Sequence, residues 1–517
     1  MSNAEQARGV QAAAAVTSAP NAFTRRSSNS TTSRTPGTAV HEITEQGSKP
    51  AYSPVVVAGI VRAIEAAAVV AVGLLCYYWW LPGSNDFARY FVNTMGISVF
   101  ALLTFQSVDI YHLQAFREYH QQFLRLAAVW SIVFMTTVVL SQLTGYSDRF
   151  SWLWLGAYFA SGLLILMIFR GTLLFLVRRW TIEGRFNCRT VVVGGGDRGE
   201  ALIAALAAQR DSGVHIIGVF DDRGDDRSPS AYHGVPKLGK VDDLLEFARH
   251  TRVDLVLVVL PITAEERILQ MVKKLWVLPL DIRLVAQGNK LQFRPRSYSY
   301  IGNVPVFDVF DRPIANWDLV AKWLFDKIIG TLALLCVAPI MLGIALAIKL
   351  DSRGPIFFKQ QRHGFNNDVF EIYKFRSMYV EHTDAMARNV VKRNDPRVTR
   401  IGRFIRKTSL DELPQLFNVV FIGDMSLVGP RPHAVYGTAE GLLYDEAIDG
   451  HFARHRVKPG LTGWAQINGW RGATDSNEKI QRRVEHDLHY IENWSILFDF
   501  WILAQTPFAL LRGENAY

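Results

Sequence analysis

The sequence predicts a membrane α plus α/β protein: a four-helix transmembrane bundle, a Rossmann-like parallel α/β domain, and a monotopic third domain carrying a re-entrant membrane helix. Three observations lead there. Four long apolar runs lie near 54–80, 90–110, 123–145 and 152–177, and strands alternate with helices from about residue 189. A fifth apolar run, 323–349, is interrupted by Pro339 and has basic residues on both flanks. The domain limits that follow are 1–50 for a disordered tail, 51–180 for the bundle, 186–310 for the α/β domain and 316–517 for the third domain.

The tail is rich in Ser, Thr, Ala and Pro and poor in aromatics, so it cannot bury enough apolar area to offset its ordering entropy. It lacks the layout of a signal peptide. Each of the four runs is long enough to cross a hydrocarbon core, which takes roughly 20 helical residues. A soluble bundle would show polar stripes that these runs mostly lack. Arg62 and Glu65 stand one turn apart in the first run and are expected to pair. Arg25, Arg26 and Arg34 in the tail, Arg117 and Arg125 in the middle loop, and Arg178, Arg179 and Arg185 at the exit outnumber Arg89 and Arg149 on the other side. The positive-inside rule then puts the tail and everything after the fourth run in the cytoplasm, at a bacterial inner membrane.

The net charge of +9 is spread along the chain, which suits anionic lipid and phosphorylated substrates and gives no nucleic-acid footprint. Cys76, Cys188 and Cys336 are far apart, so neither a disulfide framework nor a Cys/His zinc site is indicated. His363, His433, His451 and His455 show no ligand spacing and read as ordinary polar residues.

In the α/β domain, strands are expected at Thr190–Val193, His215–Phe220, Asp254–Leu260 and Leu278–Val285. The first leads into Gly194-Gly195-Gly196-Asp197-Arg198-Gly199, with Asp221 some 22 positions on. That context fits a dinucleotide fingerprint, making Gly194, Gly196, Gly199 and Asp221 the cofactor-binding candidates; such turns also persist in domains that bind nothing. A dehydratase or oxidoreductase working through this loop would need a Tyr-x-x-x-Lys pair, and the chain has none.

In the fifth run, Lys322 and Lys327 lie at one end and Lys349 and Arg353 at the other. Basic flanks on both sides, with Pro339 between, favour a helix–break–helix entering and leaving by one face. The apolar end, Trp494–Leu511, reads as interfacial.

The densest chemistry lies between: Tyr373-Lys374-Phe375-Arg376-Ser377-Met378, then Ser409-Leu410-Asp411-Glu412-Leu413-Pro414-Gln415-Leu416, then Gly429-Pro430-Arg431-Pro432. Adjacent carboxylates among basic clusters suit phosphoryl transfer, one attacking phosphorus while the other holds Mg²⁺. Ser409-x-x-Glu412 also matches a capping box, which would make Glu412 a helix cap. Spacing alone indicates an anion or phosphate site and names no reaction.

These stretches resemble the polyprenyl-phosphate hexose-1-phosphate transferase superfamily, whose hallmark is the Asp-Glu pair in Leu-Asp-Glu-Leu-Pro-Gln-Leu followed by Gly-Pro-Arg-Pro. The resemblance covers about 320–512, and the spans plus α/β domain resemble its large members. It implies that Asp411 attacks the β-phosphorus of a UDP-sugar and releases UMP. Polyprenyl phosphate then takes the phospho-sugar from the carboxylate. It implies Mg²⁺ as cofactor with Glu412 as metal ligand, Lys374, Arg376, Arg406 and Arg431 as phosphate clamps, and Gln466 and Trp470 among the substrate-binding positions. The family's re-entrant helix often has Ser-Pro at the break where this chain has Ala338-Pro339.

Asn468-Gly469-Trp470-Arg471-Gly472, with Thr474-Asp475 and Asp487-x-x-Tyr490, looks like the undecaprenyl-phosphate glucose phosphotransferase branch. UDP-galactose and a UDP-N-acetylhexosamine stay open as donors. Trp464 and Trp470 are suited to stacking on a base or sugar, or to sitting at the interface. A homodimer is expected. A nucleotide-sensing membrane scaffold is the non-enzyme rival; an inactive relative would be expected to lose Asp411 or Glu412, and both are present.

Overall fold

The computed structural model describes residues 52–511 except 82–84, 109, 112–118, 146–150, 210–212, 224–228, 261–264, 287–298, 381–394, 434–437, 440–441, 444–450 and 473–476. The tail expected to be disordered lies outside these residues, as do Arg117, Arg149, Thr474 and Asp475.

Ser53 caps the first helix by accepting from Val56 N, with Pro54 at the first helical position. The first four helices are α1 Pro54–Trp80, α2 Phe87–Ser107, α3 Tyr119–Leu143 and α4 Trp152–Ile182. They share one apolar core around Trp130, Trp154 and Tyr158, while Leu75, Leu103, Leu140 and Ile168 face outward. Apolar residues inside and outside suit a lipid surround, and all four are long and apolar enough to cross a membrane. Tyr52 N donates to Arg185 O at 3.1 Å, so the start of α1 and the exit of α4 meet. The pairing expected between Arg62 and Glu65 is not the one formed. Glu65 pairs with Arg170 of α4 at 2.6 Å, not with Arg62, whose guanidinium lies over the Tyr111 ring. The partner one helix away wins because Glu65 and Arg170 both point into the bundle core, each about 1% exposed.

The α/β domain is built on an eight-stranded sheet. In chain order its strands are β1 Cys188–Val193, β2 Val214–Phe220, β3 Ala231–Tyr232, β4 Val235–Gly239, β5 Leu255–Val258, β6 Asp281–Val285, β7 Ser299–Ile301 and β8 Val304–Phe310. Spatially the order is β3-β4-β2-β1-β5-β6-β8-β7. The centre is parallel, as the apolar runs of β1 and β5 demand, with α5 Gly196–Ala207, α6 Val241–His250 and α7 Glu265–Leu275 completing it. Both edges are antiparallel, so the sheet is mixed and not wholly parallel: β3 folds back on β4, and β8 pairs antiparallel with β6 and β7.

The third domain opens with α8, Asn316–Asp351, which runs as one continuous helix through Pro339, where two helices separated by a break were expected. Its two ends nevertheless dock on the same domain. Lys322 Nζ donates to Val428 O and pairs with Asp499, while Ile401 N donates to the Asp351 carboxylate. Ala338, Pro339 and Ile340 are exposed between them. After α8 come the hairpin β9 Phe357–His363 and β10 Val369–Phe375, then α9 Arg400–Lys407, the short strands β11 Ser426–Val428 and β12 Gly460–Thr462, and the helices α10 Asn477–Glu492 and α11 Ile496–Leu511. Their shared core holds Ile372, Leu416, Leu427 and Tyr490.

Candidate active site

Lys374 enters on β10. Asn418, fully buried in a π-helical turn at Asn418–Ile422, fixes that strand: Tyr373 N donates to its Oδ1 at 3.1 Å, and its Nδ2 donates to Glu371 O at 2.7 Å. Arg406 enters on α9, which Thr399 caps. Gly402 in that helix packs so closely on the Ser377 backbone that a Cβ would collide with it. The helix ends, and Ser409 takes φ +59°, a left-handed conformation a serine adopts at a cost on the order of 1 kcal/mol. That turn projects Asp411 and Glu412 from the 3₁₀ segment Leu410–Glu412. No capping bond forms from Ser409; its Oγ accepts from Arg471 at 2.6 Å, so the capping-box reading fails.

Glu412 is gripped on both oxygens. Lys374 Nζ donates to Oε1 at 3.0 Å, and Arg431 donates to Oε1 at 2.6 Å and to Oε2 at 3.2 Å. Arg431 and Lys374 hold its carboxyl well below the usual carboxylate range against the cost of burial. Asp411 differs. Burial and the adjacent Glu412 charge push its pKa up to about 6, with Lys374, Arg406 and Arg431 opposing. One carboxylate is thus locked as an anion, while its neighbour stays basic enough to act as a nucleophile.

Of the expected site residues, Asp411, Glu412, Lys374, Arg406 and Arg431 come together. Gln466 joins them on the wall of an adjoining cavity. Arg376 does not: its guanidinium is 2.8 Å from Arg353 O and from Ser352 O, holding the chain as it leaves α8. Its Nη1 and Nη2 groups serve these carbonyls and the Ser352 hydroxyl, and it makes no described contact with Asp411 or Glu412. Trp464 packs against Phe498, and Trp470 lies near His486 with its carbonyl accepting from Arg483.

Behind the Gly-Pro-Arg-Pro turn lies a buried network that spacing did not reveal. Arg454 pairs with Asp487 at 2.6 Å, donates to Arg431 O at 2.6 Å and touches the His433 ring, which Arg483 also approaches. It holds the backbone of Arg431, whose side chain grips Glu412. Asp487 had drawn notice only as part of a motif, and Arg454 had no signal short of the fold. Lys322, Asp499 and Tyr490 form a second buried group: the Tyr490 hydroxyl is 2.8 Å from Asp499 Oδ1 and 3.0 Å from Val428 O.

The glycine loop is elsewhere and is filled by the protein itself. Gly194, at φ +99°, lies under Val259, whose carbonyl a Cβ would meet at 2.6 Å. Gly196 N donates to Tyr232 Oη at 3.3 Å, Tyr232 in turn reaches buried Asp221 at 3.4 Å, and the Arg223 guanidinium covers Gly196. Gly199 packs on Gly194 O.

Fold and site together define a membrane enzyme built to handle phosphorylated substrates. Comparison with known proteins sharpens this. A bacterial sugar transferase family model matches residues 317–513, and a CoA-binding domain model matches 106–286. The chain is 33% identical over 466 residues, 89% of its length and 94% of the relative's, to the UDP-glucose:undecaprenyl-phosphate glucose-1-phosphate transferase of Xanthomonas campestris pv. campestris. It is 37% identical over 392 residues to the undecaprenyl-phosphate glucose phosphotransferase of Komagataeibacter xylinus, covering 75% of this chain and 71% of that one. It is 38% identical over 341 residues to the Escherichia coli (strain K12) UDP-glucose:undecaprenyl-phosphate glucose-1-phosphate transferase, covering 65% and 71%. The chain belongs to the bacterial sugar transferases.

Proposed function

We propose that this enzyme moves glucose-1-phosphate from UDP-glucose to undecaprenyl phosphate, the opening step of an exopolysaccharide, through a phospho-sugar carried on Asp411. An Asp411 oxygen attacks the β-phosphorus; the new O–P bond replaces the bond to the α-phosphate oxygen, and UMP leaves with that electron pair. An oxygen of undecaprenyl phosphate then attacks the same phosphorus, frees the carboxylate and departs as the lipid diphosphate sugar. The observation that carries this reading is the unequal pair: Glu412 gripped by Lys374 and Arg431, Asp411 beside it with its pKa raised to about 6. Names of full-length relatives support the donor and acceptor.

The donor set fits Mg²⁺. Among the described residues no cluster of three or more His, Cys, Asp or Glu forms an all-protein cage. A single carboxylate, completed by water and substrate phosphates, is a ligand set Mg²⁺ ordinarily takes. Glu412 would hold it through the Oε2 lone pair that Arg431 leaves open, and when bound it would neutralise diphosphate charge.

We read α8 as re-entrant, turning at Pro339, with α1–α4 as a transmembrane bundle in the bacterial inner membrane and the acid pair on the cytoplasmic face. A straight helix of this length would run about 54 Å and carry its ends apart; docking of both ends on one domain supports the turn, and the basic flanks support the cytoplasmic side. Cysteines placed before 323 and after 349 should both resist labelling from outside spheroplasts; labelling of one flank alone would make α8 a true span.

The test of the chemistry is a single-turnover experiment. Radiolabelled UDP-glucose without acceptor should release UMP in step with label on the protein, and added undecaprenyl phosphate should move that label to lipid. Transfer with no labelled protein at any time would overturn the covalent route.

A further inference from the structure

Beside Glu412 lies a cavity of about 150 Å³ whose apolar part the chemistry above does not use. Most of its wall is apolar: Leu427, Leu461 and Ile467 on one side, Leu503, Ala509 and Leu510 of α11 on the other. One end is polar, formed by Glu412, Arg431, Arg471 and Gln466. Gln466 Nε2 is buried there with no hydrogen-bond partner among the described residues. Arg471 donates to a neutral group, the Ser409 hydroxyl. Lys374, Arg406, Arg431 and Arg471 outnumber the two carboxylates they surround, so this end favours an anion. The other end leads outward: Leu510 lines the cavity yet is 43% exposed, beside the exposed Phe508 on the same helix.

The occupant must therefore be anionic at one end and apolar at the other, and must reach the acid pair from the lipid side. A cavity of about this volume holds a benzene-sized group, which is the size of one branched isoprene unit. We propose that it holds the first isoprene unit of the prenyl-phosphate acceptor, with Arg471 and Gln466 on the acceptor phosphate. This rests on the transferase reading and adds to it the subsite that tells a prenyl chain from other lipids. Placing the first unit here sets the acceptor oxygen next to the carboxylate turn, and the rest of the chain leaves past Leu510 into the bilayer.

Ala509→Phe adds a ring to the apolar part of the wall and replaces no charged residue. The apparent KM for undecaprenyl phosphate should rise about tenfold while that for UDP-glucose moves less than about twofold. Leu503→Ala, which removes a wall instead of adding bulk, should also raise the acceptor KM and guards against misfolding of the first variant. In the wild type, a prenyl phosphate carrying a diazirine on its first isoprene unit should label the segment 496–511 or Leu461. Wild-type enzyme that makes no lipid-linked product would overturn the transferase reading itself. Wild-type turnover with both variants at normal acceptor KM would overturn the subsite alone. So would labelling confined to α1–α4, or equal protection by a diacyl phosphatidic acid, which would mark a general lipid groove.

Discussion

Two loops in this chain carry sequence motifs for binding phosphate, and the fold treats them oppositely. The turn at Gly194–Gly199 has the backbone of an anion cradle, but Tyr232 takes the Gly196 amide and Arg223 covers that glycine. The turn at Ser409–Glu412 has no glycine. It is forced into a left-handed serine, and cations from three separate elements converge on it. A motif that specifies backbone shape says where an anion fits. A constellation of charges drawn from distant positions says where chemistry is driven. The comparison predicts that substitutions at the second loop remove activity and substitutions at the first do not.

The largest expected effect is Asp411→Asn. The amide keeps shape and loses the nucleophile, so lipid product should fall by on the order of a thousandfold or more. The same variant should be the more stable protein above pH 6. In the wild type the folded pKa lies above the unfolded one. The fold therefore binds more protons than the unfolded chain, and stability declines as pH rises from about 4 through about 6. The amide escapes that decline. A melting temperature for Asp411→Asn at pH 8 below the wild-type value would contradict the raised pKa.

Next in size is Lys374→Met, expected to lower kcat/KM by on the order of a hundredfold. Wild-type kcat/KM should climb with pH and level off above about 6, because the proposed route needs Asp411 as its carboxylate. Lys374 heads the charges that hold Asp411 down, so its removal should move this limb to higher pH. A limb that stays in place would mean that the lysine acts on Glu412 alone. Glu412→Gln should raise the Mg²⁺ concentration needed for half-maximal rate; unchanged dependence would leave Glu412 as an anchor for Arg431 and nothing more.

A smaller effect is expected at Asp487→Asn, about tenfold on kcat, since it loosens Arg454 and through it Arg431. Here the limit of sequence reading is plain. The long apolar helices, the central strands and the acid pair were legible because each rests on local periodicity or on adjacent residues. Arg376 was misplaced for the complementary reason: one residue separates it from Lys374, yet β10 ends at Phe375, and its guanidinium turns back to Ser352 and Arg353 instead of toward Glu412. Arg454, Arg471 and Lys322 act across long sequence separations, and no spacing rule reaches them. The antiparallel edge at β7 and β8 was missed because no strand was expected between Val285 and the end of the α/β domain.

The smallest effect should come from Tyr232→Phe. Tyr232 is 1% exposed; its hydroxyl takes the Gly196 amide and reaches Asp221, so its loss removes one hydrogen bond from a half-buried amide and one from a buried carboxylate. That should cost the α/β domain about 1–3 kcal/mol, visible as an earlier unfolding transition. Transferase turnover should change by less than about twofold, because no described hydrogen bond or ion pair links the glycine loop to the acid pair. The contacts that tie the two domains are structural, such as Arg456 to Asp311 O and Asn366 to Ala248 O. If turnover instead fell about tenfold in protein that still folds, the hydroxyl would be doing more than closing a turn. The cradle it fills would then be a regulatory seat, with Tyr232 as the group that a nucleotide has to displace.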